Sequence, residues 1–232
     1  MILWIGGGIV FFLFASVTIG IIMSAPGYQG SKSGHFDGKK FINQGDVEAK
    51  GFADVSRWMM QRDKESWKPD MDAGQGTVPS ATDSGLYITF VNHSTFLIQW
   101  EGINILTDPI WSQRTSPVGF AGPKRMRPPG IRFSDLPRID LVILSHNHYD
   151  HLDLPTIKKL KKSFNPLFIV PLGVDRFLKN KGIEQVQAVD WWQKLDHKTM
   201  QVTAMPAQHF SGRGILDRDK TLWAGYMLQI RD

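Results

Sequence analysis

Cysteine is absent from the 232 residues, which excludes disulfide scaffolds, zinc ribbons, iron–sulfur clusters and thiolate nucleophiles. Any metal must then sit on His, Asp or Glu. The absence leaves the redox compartment open, because a core of this size needs no disulfide on either side of a membrane. Low-complexity sequence is lacking too: Gly and Pro number 22 and 13, and 42% hydrophobic with 21% charged residues is a globular composition. At roughly 150 residues per domain, the length predicts one large domain, or one domain with an appended segment. A net charge of +5 admits nucleic acid, anionic lipid, an anionic substrate or a solvated basic surface.

Charge is missing altogether from Ile2 to Met23. Twenty-two helical residues at about 1.5 Å each span about 33 Å, enough for a bilayer core. The stretch lacks the basic start and the clear cleavage site of a signal peptide, and Pro26 directly after Ala25 argues against cleavage there. An uncleaved transmembrane anchor over residues 1–24 is the expectation. Lys32, Lys39 and Lys40 follow it and none precedes it, so the positive-inside rule places the bulk of the protein towards the cytoplasm.

Residues 25–80 read as a tether, rich in Gly, Ser and Lys over 24–45, followed by a helical stretch over 46–68 that Pro69 ends. Beyond it, "LYITFVNHSTFLIQW" and "INILTD" are β-rich runs split by Glu101-Gly102, the pattern of a hairpin. A Pro-rich loop with Lys124, Arg125, Arg127 and Arg132 comes next. "IDLVILS" is almost continuously apolar, as a strand buried on both faces is. Helices near 155–162 and 174–181 then alternate with the strands "LFIVP" and "EQVQAV", and "KTMQVTAMPAQHF" and "TLWAGYMLQI" close the chain. The interleaving predicts an α/β fold, and no internal repeat is present.

Three of the seven histidines fall in "HNHYDH", residues 146–151, directly after the buried strand, where open α/β sheets place their ligands. His146 and His148, two apart, point to one side of an extended chain, and Asp150 with His151 follows at the turn towards a helix. So many groups of this kind close together repel when protonated, whereas a divalent cation favours neutral imidazole and carboxylate.

With "SHNHYDHLD" go "NHSTFLIQWEGINILTDPIWSQRTSP", "GPKRMRPPGIRFSDLPRIDLVILS", "VPLGVDRFLKNKGI" and "PAQHFSGRG". In these stretches the sequence resembles the metallo-β-lactamase superfamily, in the branch that contains the N-acyl-phosphatidylethanolamine-hydrolysing phospholipase D. The resemblance covers roughly residues 81–232. It implies a four-layer αββα sandwich, here incomplete, with the first half and the start of the second, behind the N-terminal transmembrane helix. It implies one zinc site on His146, His148 and His209 and a second that includes Asp150 and His151. Asp108 would orient a ligand from behind, and His93 would line the same region. The family's bridging aspartate and later histidine fall beyond Asp232, so the second site is expected to be incomplete, and weak activity or none is expected from this chain alone. His35 and His197 match nothing and read as surface residues.

The function expected is zinc-dependent hydrolysis of a phosphodiester or ester at a membrane, N-acyl-phosphatidylethanolamine being one candidate. Asp150 would act on the attacking water, and Lys124 and Arg125 would meet an anionic substrate. A noncatalytic metal-binding membrane protein, and a lactone hydrolase or nuclease of the same superfamily, are the alternatives. Nucleic-acid binding is disfavoured because the basic residues come in short separate runs.

Overall fold

The computed structural model describes residues 14–15, 17–45, 51–62 and 84–231. A short helix α1 (Phe52–Gln61) lies within the stretch expected to be helical; the rest of that stretch, 46–50 and 63–68, falls outside the described residues. The β-rich runs form three strands rather than two: β1 (Leu86–Asn92), β2 (Thr95–Trp100) and β3 (Ile103–Thr107). The break in the first run is the turn at His93, whose φ of 44° lies in the left-handed region that Asn, Asp and His enter more readily than most residues. Then follow β4 (Leu141–Ile143), α2 (Leu154–Phe164), β5 (Leu167–Pro171), α3 (Val174–Lys179) and β6 (Val186–Val189). The chain closes with β7 (Lys194–His197), which the sequence reading missed, β8 (Met200–Met205) and β9 (Gly225–Ile230).

One sheet runs in the order β1-β2-β3-β4-β5-β6, antiparallel through β3 and parallel from there on. The second, β7-β8-β9, is antiparallel. Period-two alternation decides which face each residue serves. Val142, Phe168 and Val170 pack with Ile157 and Leu160 of α2 and Val174, Phe177 and Leu178 of α3. Ile105, Leu141, Ile143 and Ile169 pack the other way, against Met200, Val202 and Ala204 of the second sheet. Both faces of β4 and β5 are therefore dry, which is why "IDLVILS" is apolar without alternation. Helices, sheet and sheet make an α/β sandwich with three layers among the described residues.

The anchor expected over residues 1–24 is corrected, and with it the membrane partner, the membrane location and the cytoplasmic orientation drawn from it. No helix among the described residues is long and apolar enough to cross a membrane. Residues 17–22 are helical, but the helix stops at Met23 and its end is bonded to the domain. Ile215 N–H donates to the Gly20 carbonyl (3.1 Å), Leu216 N–H to Ser24 Oγ (3.1 Å) and Ala25 N–H to Asp217 Oδ2 (2.8 Å). A Cβ on Gly20 would stand 2.8 Å from Ile215 Cγ2, so glycine is what permits this approach. Residues 1–13 and 16, where most of the expected span falls, lie outside the described residues.

Residues 24–45, expected as a tether, lie against the second core: Phe36 and Phe41 are each 2% exposed within it. His35, expected at the surface, stacks on Trp191 with ring centroids 4.6 Å apart and sets Nε2 2.7 Å from Asp190 Oδ1.

Candidate metal centre

The centre is built at the carboxyl end of β4. That end is held by Tyr226, whose buried hydroxyl donates to the Leu144 carbonyl (2.9 Å), and by Ala224 N–H on the Ser145 carbonyl (2.9 Å). The loop then turns tightly, His148 O accepting the N–H groups of His151 and Leu152 (3.1 and 2.7 Å). His146 is 3% exposed, and Asn147 is fully buried.

Two groups of ligand-type side chains converge there. His146, His148 and His209 form one; His93, Asp150 and His151 form the other, and within each group the ligand atoms all lie within 4.8 Å of one another. His146 Nε2 is 2.8 Å from His148 Nδ1 and 3.0 Å from His209 Nε2. Tetrahedral zinc, with bonds of about 2.0–2.1 Å, needs nitrogens about 3.4 Å apart, so an opening of a few tenths of an ångström admits the ion. In the second group, Asp150 Oδ2 stands 3.3 Å from His93 Nε2 and 3.8 Å from His151 Nε2, spacings that already match. The donor set of imidazole nitrogens and one carboxylate, without thiolate, fits zinc and similar divalent ions.

Electrostatics prepare the same result. Burial, then the neighbouring His151, His148 and His209, push the His146 imidazole far below its usual range. Burial and His209 push His148 down to about 4, and burial lowers His209. These three rings are neutral at pH 7, so an ion meets no imidazolium charge there. His151 goes the other way: burial opposes its charge, but the hydrogen bond and charge of Asp108, with Asp150, outweigh it.

Asp108, 5% exposed, directly follows β3 with a φ of 36°. Its Oδ1 accepts Ser145 N–H (2.7 Å); its Oδ2 accepts the Ser145 hydroxyl (2.7 Å) and His151 Nδ1–H (2.8 Å). Because Ser145 Oγ spends its one proton on Asp108, it accepts from His146 Nδ1–H (2.9 Å). One carboxylate thus fixes a histidine of each group with its Nε2 lone pair turned towards its cluster.

The sequence reading missed three participants. Ser145 was hidden because serine carries no ligand signal. Arg213, 8% exposed, donates to the carbonyls of Asn147 and Leu152 (2.7 and 2.9 Å) and stacks on Tyr149 at 3.9 Å, clamping the loop from behind. Asn43 bonds the backbone of His209. His93, expected only to line the region, is brought into the second group.

Beside that group lies a cavity of about 830 Å³ whose walls include His93, Asp150, Phe90, Val91, Ile110 and Met126. Lys124 and Arg125 lie on it too. Arg125 is committed to structure: it donates to the carbonyls of Ile110 (3.0 Å) and Ser112 (3.2 and 3.3 Å).

The chain is 39% identical over 156 residues to N-acyl-phosphatidylethanolamine-hydrolyzing phospholipase D 1 of Caenorhabditis elegans, an alignment covering 62% of this chain and 44% of that protein. It is 43% identical over 145 residues to an uncharacterized protein, Mb0930, of Mycobacterium bovis, covering 62% and 39%. The chain thus spans less than half the length of these curated relatives. Igni18, a metallo hydrolase of the archaeon Ignicoccus hospitalis, superposes with a TM-score of 0.46 at 20% identity over 62% of this chain and 56% of that one. Residues 103–232, more than half of the chain, match the family described as the β-lactamase superfamily domain, and the chain belongs to that family.

Proposed function

We propose that this protein is a metal-dependent hydrolase of a phosphodiester or ester that carries an apolar portion. The observation that carries the reading is the sharing of His93 and Asp150 between a group of metal-ligand side chains and the wall of a largely apolar cavity. His146, His148 and His209 would hold one ion, and His93, Asp150 and His151 a second. A bound divalent ion supplies a Lewis acid and an acidified water at neutral pH. The chain supplies the rest. Phe90, Val91, Ile110 and Met126 exclude water from the apolar portion. Asp150 would position the attacking water, and Lys124 faces the anionic part of the substrate. A phospholipid of the N-acyl-phosphatidylethanolamine kind has this make-up, and the relative from Caenorhabditis elegans is named for that substrate.

The test is turnover by the zinc-loaded full chain of a nitrophenyl phosphodiester, a nitrophenyl ester and N-acyl-phosphatidylethanolamine in detergent micelles. Hydrolysis of at least one, abolished by chelation, restored by zinc and lost in His148→Ala, is the expected result. Stoichiometric zinc without turnover of any of the three would leave a structural metal site in place of an enzyme.

A further inference from the structure

His209 is the one member of the three-histidine group that does not come from the 146–151 loop. It sits in the irregular segment 206–224 between β8 and β9, where no ladder satisfies its backbone. The partner it has instead is a side chain 166 residues away. Asn43 Oδ1 accepts His209 N–H (3.0 Å), and Asn43 Nδ2 donates to the His209 carbonyl (2.9 Å). One amide thus pairs with both backbone groups of one residue, as a neighbouring strand would.

The orientation of that amide is dictated by its surroundings. Trp223, 2% exposed, points Nε1–H at Asn43 Oδ1 (3.1 Å) while also donating to the Ala207 carbonyl (2.7 Å). A reversed amide would set an NH2 group against two donors, His209 N–H and the indole, so only the observed arrangement satisfies all partners. Asn43 is itself immobilised. Phe41 is buried and donates its N–H to the Asp219 carbonyl (2.7 Å), Ile42 N–H bonds the His35 carbonyl (2.9 Å), and Tyr28 N–H bonds the Lys220 carbonyl (2.8 Å). The segment preceding the family-matched residues is therefore docked along the very loop that carries His209.

We propose that Asn43 is a positioning residue for the three-histidine centre: its side-chain amide holds the His209 backbone so that the imidazole meets His146 and His148. The role rests on the reading of that centre as a metal site. It requires an amide and not merely a group of that size. Aspartate keeps the two accepted bonds but turns a carboxylate oxygen on the His209 carbonyl, and alanine keeps none.

The experiment uses the full chain and compares the parent with Asn43→Ala, Asn43→Asp and Ile42→Ala, the last an exposed neighbour with no bond to His209. Zinc affinity is read by competition with a chelator, the visible absorption of bound cobalt(II) reports ligand number and geometry, and thermal melting of the metal-free proteins reports the fold. Asn43→Ala is expected to lose about 10–100-fold in zinc affinity with an altered cobalt spectrum. Asn43→Asp should fall between it and the parent, and Ile42→Ala should match the parent. A lower melting temperature in Asn43→Ala with affinity within twofold of the parent and an unchanged spectrum would make Asn43 merely structural and overturn the proposal. A parent chain that binds no zinc would overturn the metal reading itself, and this role with it.

Discussion

At the scale of single residues, Asp108 has the widest reach, because it holds Ser145 and His151 directly and His146 through Ser145. Asp108→Asn keeps the volume but sets an NH2 group either against Ser145 N–H or against the Ser145 hydroxyl and His151 Nδ1–H, and removes the charge that favours His151 as a donor. With the amide nitrogen on the His151 side, His151 relieves the clash by moving its proton to Nε2, the atom turned towards Asp150. The expected outcome is a loss of about 10–100-fold in affinity for the ion held with His93 and Asp150, and a smaller loss at the three-histidine group. Zinc titration measures both, and imidazole nitrogen resonances report the tautomer of His151. Two unchanged affinities would refute the account. Part of this scale was legible in sequence: His146, His148, Asp150 and His151 announce themselves by spacing after an apolar strand, whereas Asp108 entered only through the family resemblance. Asn43 and Arg213 were not legible, since an asparagine in a Gly- and Lys-rich stretch and an arginine in a loop carry no local sign of partners 166 and 66 residues away.

At the scale of elements, the start of α2 bears on the site, because α2 follows the ligand loop without a break. Asp153, 6% exposed, precedes the helix and gathers a strap from a distant part of the chain. Its Oδ2 accepts Trp111 N–H (3.2 Å), Ser112 N–H (2.9 Å) and the Thr156 hydroxyl (2.5 Å), and its Oδ1 accepts the Ser112 hydroxyl (2.7 Å). Asp153→Ala leaves the Ser112 N–H and the Ser112 and Thr156 hydroxyls without that acceptor, the main-chain donor alone at about 1–3 kcal/mol, while Trp111 N–H keeps Thr156 Oγ1 (2.9 Å). A total of about 3 kcal/mol, read from urea unfolding of the metal-free protein, is expected, with Asp153→Asn losing less. A change below about 0.5 kcal/mol would mean that water replaces the carboxylate and the strap is not held here. The elements themselves followed hydrophobic periodicity, so β4, β5, α2 and α3 were foreseeable. The turn at His93 was not, because "LYITFVNHSTFLIQW" stays β-rich across it and only the left-handed backbone at one histidine divides the run. The apolar N-terminus shows the converse: length and hydropathy match a membrane span, yet the described part of that helix ends in bonds to the 215–217 loop, which no local pattern announces.

At the scale of the molecule, the ligands come from three places: the β1–β2 turn, the loop after β4 and the loop after β8. An unfolded chain holds His93, His146 and His209 too far apart to bind one ion together, so metal affinity belongs to the folded state and adds to its stability. Zinc at a hundred times its dissociation constant contributes about 2.7 kcal/mol per site. For a chain of this length each kcal/mol moves the melting temperature by about 2–4 °C, so one filled site raises it by about 5–10 °C, and chelation reverses the change. At the three-histidine group the dependence on pH has a definite sign, opposite to that of His151. His146, His148 and His209 are all lowered in the folded state, so as pH falls below about 6.5, the ordinary imidazole value, the unfolded chain takes up protons first. Their contribution to stability is present above that value and is lost on acidification. The zinc increment should persist at pH 6 and fade towards pH 4, where His148 itself takes up its proton. Calorimetry with and without zinc at pH 7.5, 6 and 4.5 checks both statements. A melting temperature indifferent to zinc at pH 7.5 would show that the converging histidines do not hold an ion, whatever their geometry.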